Sequence, residues 1–383
     1  MLLKTSASIR RAASRAANPG RAVAELHEGL VQEHSSLAVF FASPEYDTEA
    51  LAVALRERFQ GIPLIGCTTA GEIGPAGYHT GGLTGFSMSS KDFMVQSSLI
   101  ENLKDLEMDQ GKALALQAMT RLQTLGKRPD GSNTFGFLLV DGLSVREEAL
   151  VSSLCKPLGD IQLFGGSAGD NLRFNETLIW ADGGFHRNAA VFNLIQTDLP
   201  FEVFRTQHFV ESDQKMVVTD ADPLARVVKE INGEPAAREY ARMVGVRVEE
   251  LTPLVFSAHP VVLRVGGEAF VRSIAKVNDD GSLSLLCAIE SGVVLTLARG
   301  VDMVAGLRDT FQKLKASLGP LQLTIGCDCI LRSLECDTKE IRGQISTILE
   351  ENSVIGFATY GEQINAMHVN QTLTGVGIGQ RRG

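Results

Sequence analysis

The sequence predicts an α/β protein with mixed sheets, organised as two domains of repeated strand–helix–strand units. The length of 383 residues fits two domains of about 100 to 200 residues each, and 44% hydrophobic residues are enough for sizeable cores. Apolar runs of strand length alternate with amphipathic helical segments. A strand that closes on a glycine-rich turn and an acidic residue occurs three times, which predicts an internal repeat.

The first unit begins with the apolar run Leu37 to Phe41, whose length predicts a strand. The segment YDTEALAVALRERF follows as an amphipathic helix with Asp47 as its expected N-cap. The strand PLIGCTTAGEI closes the unit and reaches the acidic residue Glu72. Glycine at such a corner permits a sharp turn or close approach of a ligand to the backbone.

The second and third units repeat this order. The second runs from Phe135 to Asp170 and ends on FGGSAGD, and the third runs from Leu323 to Glu362 and ends on IGFATYGE. The sequence aligns Asp170 and Glu362 with Glu72 of the first unit. Further strands follow the corners, so antiparallel pairing is expected beside the parallel pairs.

The remaining segments suggest how the domains are divided. Residues 1–29 are basic, and alanines near helical spacing after Ile9 predict an amphipathic lead helix, with a targeting or membrane-surface role as the alternative. Val217 to Thr252 reads as a helical connector, which places the domain boundary near Asn232. The expected division is therefore a lead at 1–29, a first domain at 30–232 and a second at 233–383.

Charge and composition exclude several classes of function. A formal net charge of -9 and a pI near 5.4, with no dense basic stripe, argue against nucleic acid as a partner. No apolar stretch has the length of a membrane span, so membrane insertion is not expected. Six cysteines at irregular spacing indicate a reducing, cytoplasmic location rather than a disulfide framework. The oligomeric state stays open, a homo-oligomer included.

Several separated motifs, in order, resemble the paired N-terminal and C-terminal FIST domains. They are ASPEYD, PLIGCTTAGEI and PAGY in the first half, then INGEPAAREY, FVRSI, IGCDCILR and FATYGEQ followed by NQT. The resemblance covers nearly the whole chain after about residue 30. It implies a stand-alone sensor that binds a small-molecule or gas ligand and is not an enzyme. The implied partner in trans is a histidine kinase or an enzyme of cyclic-di-GMP, a diguanylate cyclase or phosphodiesterase.

Part of the family is similar to haem-bound nitric-oxide sensors, and the length and the segment FRTQHF resemble that branch. Haem requires an axial ligand beside an apolar slot, and a neutral histidine suits nitric-oxide sensing by ferrous iron. His208 is the first candidate for the iron, with Phe204 on the same strand face and Arg205 and Arg187 as partners of the propionates. The alternatives are His259, His186 or no haem.

A second ligand class implied by the resemblance is a small molecule such as an amino acid, bound without haem. Backbone groups at the glycine corners would hold it, and charged or polar side chains would fix its ends. The predicted ligand-binding residues are Thr68, Glu72, Arg272, Tyr360, Glu362 and Asn370. The alternative is that the corners are ordinary turns.

Two catalytic or metal-binding readings are weaker. The segment GGSAG around Ser167 matches a nucleophile elbow, but an elbow needs a helix directly after the serine, whereas a further strand is expected here. Cys327, Cys329 and Cys336 are one short of a structural zinc site, and the first two share a face of an apolar strand. These cysteines are expected to pack in the core, with redox sensing as the alternative.

Overall fold

Residues 8–381 are described by the computed structural model, and their strands and helices alternate along most of the chain. The first thirteen strands are β1 (Ile9–Ser14), β2 (Ser35–Ala42), β3 (Leu64–Thr68), β4 (Glu72–Gly74), β5 (Gly77–His79), β6 (Leu83–Ser89), β7 (Phe93–Ile100), β8 (Thr134–Val140), β9 (Leu163–Ser167), β10 (Ile179–Ala181), β11 (Gly184–His186), β12 (Ala190–Thr197) and β13 (Phe201–Thr206). The later strands are β14 (Phe209–Asp222), β15 (Val227–Ile231), β16 (Glu234–Pro235), β17 (Val261–Val265), β18 (Glu268–Arg272), β19 (Ile274–Val277), β20 (Leu283–Leu285), β21 (Val294–Gly300), β22 (Leu321–Cys329), β23 (Val354–Thr359), β24 (Glu362–Ile364), β25 (Met367–Val369) and β26 (Leu373–Gly379). The helices are α1 (Pro19–Leu30), α2 (Thr48–Arg58), α3 (Met108–Leu125), α4 (Glu147–Leu158), α5 (Ala236–Val244), α6 (Pro253–Ala258), α7 (Met303–Leu318), α8 (Ile330–Thr338) and α9 (Arg342–Glu351).

Three six-stranded sheets share one strand order. The first is β1-β6-β2-β3-β10-β11, the second is β7-β12-β8-β9-β24-β25, and the third is β13-β26-β22-β23-β4-β5. The first four strands of each sheet come from one unit, and the last two form a hairpin donated by another unit. The three units are therefore interlocked in a cycle.

Each unit contains the predicted strand–helix–strand core. β2 pairs in parallel with β3, β8 with β9, and β22 with β23. Parallel neighbours need a crossover connection, which α2, α4 and the pair α8–α9 supply. The predicted N-cap is confirmed, because the Asp47 carboxylate accepts a hydrogen bond from the backbone N–H of Ala50 at 2.7 Å.

The inner faces of the three sheets meet in one apolar core. Phe41 of the first sheet stacks on Phe357 of the third, with ring centroids 4.6 Å apart, and Phe137 stacks on Phe164 within the second. All four rings are buried. Because every sheet contributes to this core, each sheet is packed only when the other two are in place.

A fourth sheet lies between β13 and α7 in the chain and has its own small core. Its order is β18-β17-β21-β14-β15-β20-β19, with β16 paired to β15. Tyr240 of α5 and Phe256 of α6 pack against its apolar face. We call this part of the chain, from β14 to β21, the inserted sheet.

The predicted helical connector is wrong in its first half. Val217 to Ile231 forms β14 and β15, where Met216 and Val218 are buried alternately with exposed neighbours, the period of a strand. Residues 232–233, both with positive φ, make the turn into β16. Only the predicted helix at PAAREYARMVGV is present, as α5. The predicted domain boundary near Asn232 lies in this turn, between two strands of the inserted sheet.

The predicted lead helix is also displaced. Ile9–Ser14 is a strand paired with β6, and the helix begins only at Pro19, where the side chain of Asn18 accepts from the N–H of Arg21 at 2.9 Å. Proline in the first turn and asparagine at the N-cap fix that start. Residues 1–7 of the predicted lead lie outside the described residues. No helix within residues 8–381 is long and apolar enough to cross a membrane.

A pair of glycine substitutions tests the tight approach of β22 and β23. A Cβ on Gly356 would collide with the backbone of Gly326, so Gly356→Ala is expected to lower the free energy of unfolding by about 1–3 kcal/mol or more. Gly306, inside α7, has open space around it, and Gly306→Ala should raise stability by about 1 kcal/mol. Urea unfolding measures both; equal behaviour of the two variants would contradict the packing.

Candidate ligand-binding site

The three glycine corners meet, as the repeat predicts. Each corner hydrogen-bonds to the next through the backbone, so the bends lie together rather than on separate surfaces. The bonds are Ala358 N–H to Gly71 O at 2.7 Å, Gly169 N–H to Thr68 O at 3.0 Å, and Tyr360 N–H to Ser167 O at 3.2 Å.

Two corner carboxylates accept hydrogen bonds from the residues that begin and end their own hairpins. Glu362 accepts from the Thr359 hydroxyl at 2.6 Å and from both the N–H and the hydroxyl of Thr372. Glu72 repeats this with Thr69 and the N–H of Gly82. Both glutamates are fully buried. Their oxygens are therefore occupied by the protein, although both were predicted as ligand-binding residues.

Asp170 has a different role from the residues aligned with it. Its carboxylate accepts from three successive backbone N–H groups, Phe174 to Glu176, and from the Tyr360 hydroxyl. The hairpin of the second unit starts later, at Ile179. The expected equivalence of Asp170 with Glu72 and Glu362 is wrong, because the second unit carries an extra loop that this aspartate caps.

The other two predicted corner residues also have partners in the protein. The Thr68 hydroxyl accepts from the N–H of Leu178 at 3.0 Å. Tyr360 stacks on Phe174, with centroids 4.7 Å apart, while its hydroxyl donates to Asp170. These contacts tie the corners to the extra loop and offer no free polar atom to a ligand.

Burial changes the protonation of the corner glutamates. It raises the pKa of Glu362 to about 8 and that of Glu72 to about 7, against hydrogen bonds from the neighbouring threonines that favour the charged form. At neutral pH Glu362 is therefore mostly neutral, and the corner carries little charge.

A different set of residues has buried polar atoms without a hydrogen-bond partner in the described chain. They lie where the inserted sheet meets the hairpin β24–β25, and we call them the junction cluster. Each side chain in it is at most 7% exposed. The unpartnered atoms are Arg272 Nε, Ser273 Oγ, Asn370 Nδ2, Gln371 Oε1 and Gln363 Oε1.

Contacts within the junction cluster hold its members together. Asn370 Oδ1 accepts from the N–H of Ser273 at 3.3 Å, and Arg272 Nη1 donates weakly to the carbonyl of His368 at 3.5 Å. His368 in turn lies 3.2 Å from the amide nitrogen of Gln363. Arg272 and Asn370, which the sequence predicted as ligand-binding, are thus brought together, and Glu362 pairs with Val369, the residue before Asn370.

Arg272 is a buried cation without a counter-charge. No carboxylate within residues 8–381 lies within ion-pair distance of its guanidinium, whereas the nearby Arg226 pairs with both Glu147 and Glu148. A buried charge is costly unless it is paired. The junction cluster therefore has the chemistry of a site for an anionic group.

Hydrogen bonds near the junction cluster connect the inserted sheet to the core. Glu147, at the start of α4, accepts from Arg226 of the inserted sheet at 2.6 Å. Its other oxygen lies 3.3 Å from Ser167 Oγ, which accepts from Gln363 Nε2 at 3.0 Å. A change at the junction cluster can thus reach both halves of the molecule. No local sequence pattern predicts these pairings, because their members are far apart in the chain.

His208 does not fit haem ligation as it lies. It is buried, with Nε2 at 2.7 Å from Glu335 and Nδ1 at 2.9 Å from Arg332. Burial lowers its pKa, although the Glu335 carboxylate acts in the opposite direction. An iron bond at either nitrogen would displace one of these partners.

The other predicted haem contacts lie apart and are engaged. Phe204 packs edge-on against Phe311, and Arg205 lies over the Phe270 ring and pairs with Glu268. Arg187 pairs with Glu176, beside the second unit. Of the alternative histidines, His186 bonds the carbonyl of Ala181 at 3.1 Å, and His259 caps the C-terminus of α6.

The cysteines and Ser167 show no catalytic arrangement. Cys327, Cys329 and Cys336 are buried free thiols, and burial raises the pKa of each. Within residues 8–381 no group of three metal-ligating side chains is present. Ser167 ends β9 and is followed by a loop and β10, not by the helix that a nucleophile elbow needs.

Comparison with known proteins assigns the class. The FIST N domain model matches residues 36–234, and the FIST C domain model matches residues 236–365. A search of the curated proteins finds no match. A chorismatase crystal structure aligns with a TM-score of 0.35 and 8% identity over 91% of this chain and 93% of that chain, a similarity too low to carry an argument.

The two matches define a sensory, small-ligand-binding class of protein. The chain belongs to the FIST family, as both a FIST N and a FIST C domain.

The corner glutamate gives the stability a definite pH dependence. Since the folded state raises the pKa of Glu362 from 4.5 to about 8, it binds more protons than the unfolded state, and the free energy of unfolding should fall as pH rises through this window. Glu362→Gln should abolish this residue's part of the fall in the free energy of unfolding, which is on the order of a few kcal/mol. Urea midpoints between pH 5 and 8 measure it, with Glu350→Gln on α9 as control; an unchanged slope in Glu362→Gln would refute the assignment.

Proposed function

We propose that the protein is a sensor that binds a small carboxylate-bearing molecule, such as an amino acid, at the junction cluster. Three donors of the cluster have no partner in the described chain: Arg272 Nε, Ser273 Oγ and Asn370 Nδ2. Two amide oxygens, of Gln363 and Gln371, are equally unpartnered and could accept from an ammonium group. Donors and acceptors together suit a zwitterion.

The single observation that carries the proposal is the unpaired, buried guanidinium of Arg272. A buried polar group without a partner needs an explanation, and a ligand or ordered water supplies one. A full positive charge favours an anion over water, because a charge-assisted hydrogen bond is about twice as strong as a neutral one. The only partners of this guanidinium within residues 8–381 are the carbonyls of Val271 and His368, which carry no full charge.

The position of the site supports a sensory role. Arg272 and Ser273 belong to the inserted sheet, and Asn370, Gln371 and Gln363 belong to the hairpin that completes the second sheet. A ligand that bridges the two would favour conformers in which they are close. Such differential affinity is what shifts a conformational population, and a partner that reads it is the expected output.

The remaining parts of the proposal are the partner, the location and the lack of catalysis. We propose a histidine kinase or an enzyme of cyclic-di-GMP as the regulated partner, and a cytoplasmic location in keeping with six free thiols. Binding without turnover is supported by Ser167, whose hydroxyl is bonded to Glu147 and Gln363 in the core and is fully buried.

An arginine substitution tests the ligand proposal. Arg272→Met keeps an unbranched apolar stem but removes the guanidinium and its charge, so it should abolish the rise in melting temperature that a binding amino acid or dicarboxylate causes. Because the charge is unpaired, the ligand-free variant should be more stable than the parent, by about 1 kcal/mol or more. A thermal-shift panel of L-amino acids and dicarboxylates, with L-glutamate and L-aspartate included, measures both effects.

The matched control is Arg264→Met, an exposed arginine of the same sheet that pairs with Glu211. It should keep the ligand-induced shift. The proposal fails if no member of the panel stabilises the parent, or if Arg272→Met retains the shift.

The haem alternative is tested separately by absorption. Since both His208 nitrogens are bonded to the protein, we expect that added haem gives the same spectrum with the parent and with His208→Ala, and that nitric oxide does not distinguish them. A Soret band that forms with the parent, moves with nitric oxide and is lost in His208→Ala would instead establish this histidine as the iron ligand.

A further inference from the structure

We infer that the chain has a second binding site, at the carboxyl end of β8, for a small anionic molecule that bears a carboxylate or a phosphate. It is distinct from the junction cluster and stands on its own observations. A cavity of about 370 Å³ opens there, and its lining includes Lys104, Asp141, Ser144, Glu176, Arg187 and Asn188.

The cavity has a buried polar atom without a partner in its wall. Ser144 is 3% exposed, and its hydroxyl makes no hydrogen bond within the described chain. Serine hydroxyls can donate to an oxyanion as well as accept. The next residue, Val145, has a φ of 58, a conformation that is costly for a β-branched side chain. Ser144 is therefore held in a turn that its own sequence does not favour.

Asp141, the buried carboxylate that lines the cavity, accepts hydrogen bonds from residues around it. It accepts from the Thr177 hydroxyl, from the N–H of Leu143 at 2.9 Å and from the N–H of Asn188 at 2.5 Å. Three donors on one carboxylate offset its charge. An anion in the cavity would therefore not meet an unscreened negative group at this residue.

The two cationic side chains of the cavity, Lys104 and Arg187, are available to bind an anion. No carboxylate in the described part of the chain lies within ion-pair distance of Lys104, whose backbone is fixed by its N–H bond to Asn188 Oδ1 at 3.1 Å. Arg187 pairs only with Glu176, and this arginine is largely exposed. Exposed ion pairs contribute about 0–1 kcal/mol, so Arg187 can exchange that partner for a bound anion at little cost.

The interlocked units place this cavity where the third unit has the junction cluster. In the second unit the N–H of Asp141 bonds the carbonyl of Ala189, two residues after Arg187. In the third unit the N–H of Cys329 bonds the carbonyl of Thr372, two residues after Asn370. Arg187 and Asn370 are thus each the first residue after their hairpin, at corresponding positions of the repeat. Each lies beside a buried polar atom that has no hydrogen-bond partner within residues 8–381.

Calorimetric titration of the full chain tests the second site, with inorganic phosphate in one arm and succinate in the other. We expect saturable binding of at least one probe. Ser144→Ala and Lys104→Gln should each weaken it by about tenfold, the loss expected from one charge-assisted hydrogen bond. Binding of phosphate alone would identify a phosphate-bearing ligand, and binding of succinate alone a carboxylate.

Two controls separate this site from the other one. Lys112→Gln, an exposed lysine on α3, should bind the probe as the parent does. The binding that depends on Ser144 and Lys104 should persist in Arg272→Met, whereas any succinate held at the junction cluster is lost in that variant, so this result does not depend on the proposed function. The inference is overturned if neither probe binds saturably, or if Ser144→Ala and Lys104→Gln both bind as tightly as the parent.

Discussion

The structure depends on the exchange of hairpins among its three sheets. No unit completes its own sheet: β4–β5 extends the third, β10–β11 the first, and β24–β25 the second. Glu72 and Glu362, buried and bonded to the residues that enter and leave their hairpins, fix two of these exchanges. Because the exchanged hairpins place the corners inside the molecule, the exchange also packs the common core. The polar residues that follow each hairpin therefore face other parts of the chain.

Much of this architecture follows from the sequence. The apolar runs, the Asp47 cap and the three glycine corners predict the repeated units, since period and turn chemistry are local signals. The sequence predicts a helix where β14 and β15 lie, because valines and charged residues there fit both periods. Only pairing with β21 decides between the two. The same holds for the predicted lead helix, since Ile9–Ser14 forms a strand because β6 is there to pair with it.

The site was predictable in part. The sequence singled out Arg272 and Asn370, and the fold brings them together, but the corner residues predicted beside them are satisfied by the protein. Ser273, Gln371 and Gln363 carry no signal of their own, because an orphaned atom is a property of three-dimensional surroundings. The strand neighbours of His208 favour it as an iron ligand, yet its surroundings are the charged groups of Glu335 and Arg332 on α8, which no local pattern reveals.

Together these features describe a sensor in which one guest bridges a core and an inserted sheet through a charge that the protein leaves unpaired. A crystal structure of the protein with the carboxylate compound that raises its melting temperature most would test this directly. The account predicts the carboxylate within hydrogen-bond distance of Arg272 Nε and Asn370 Nδ2. Ordered water on those two atoms, with the compound bound elsewhere, would contradict it.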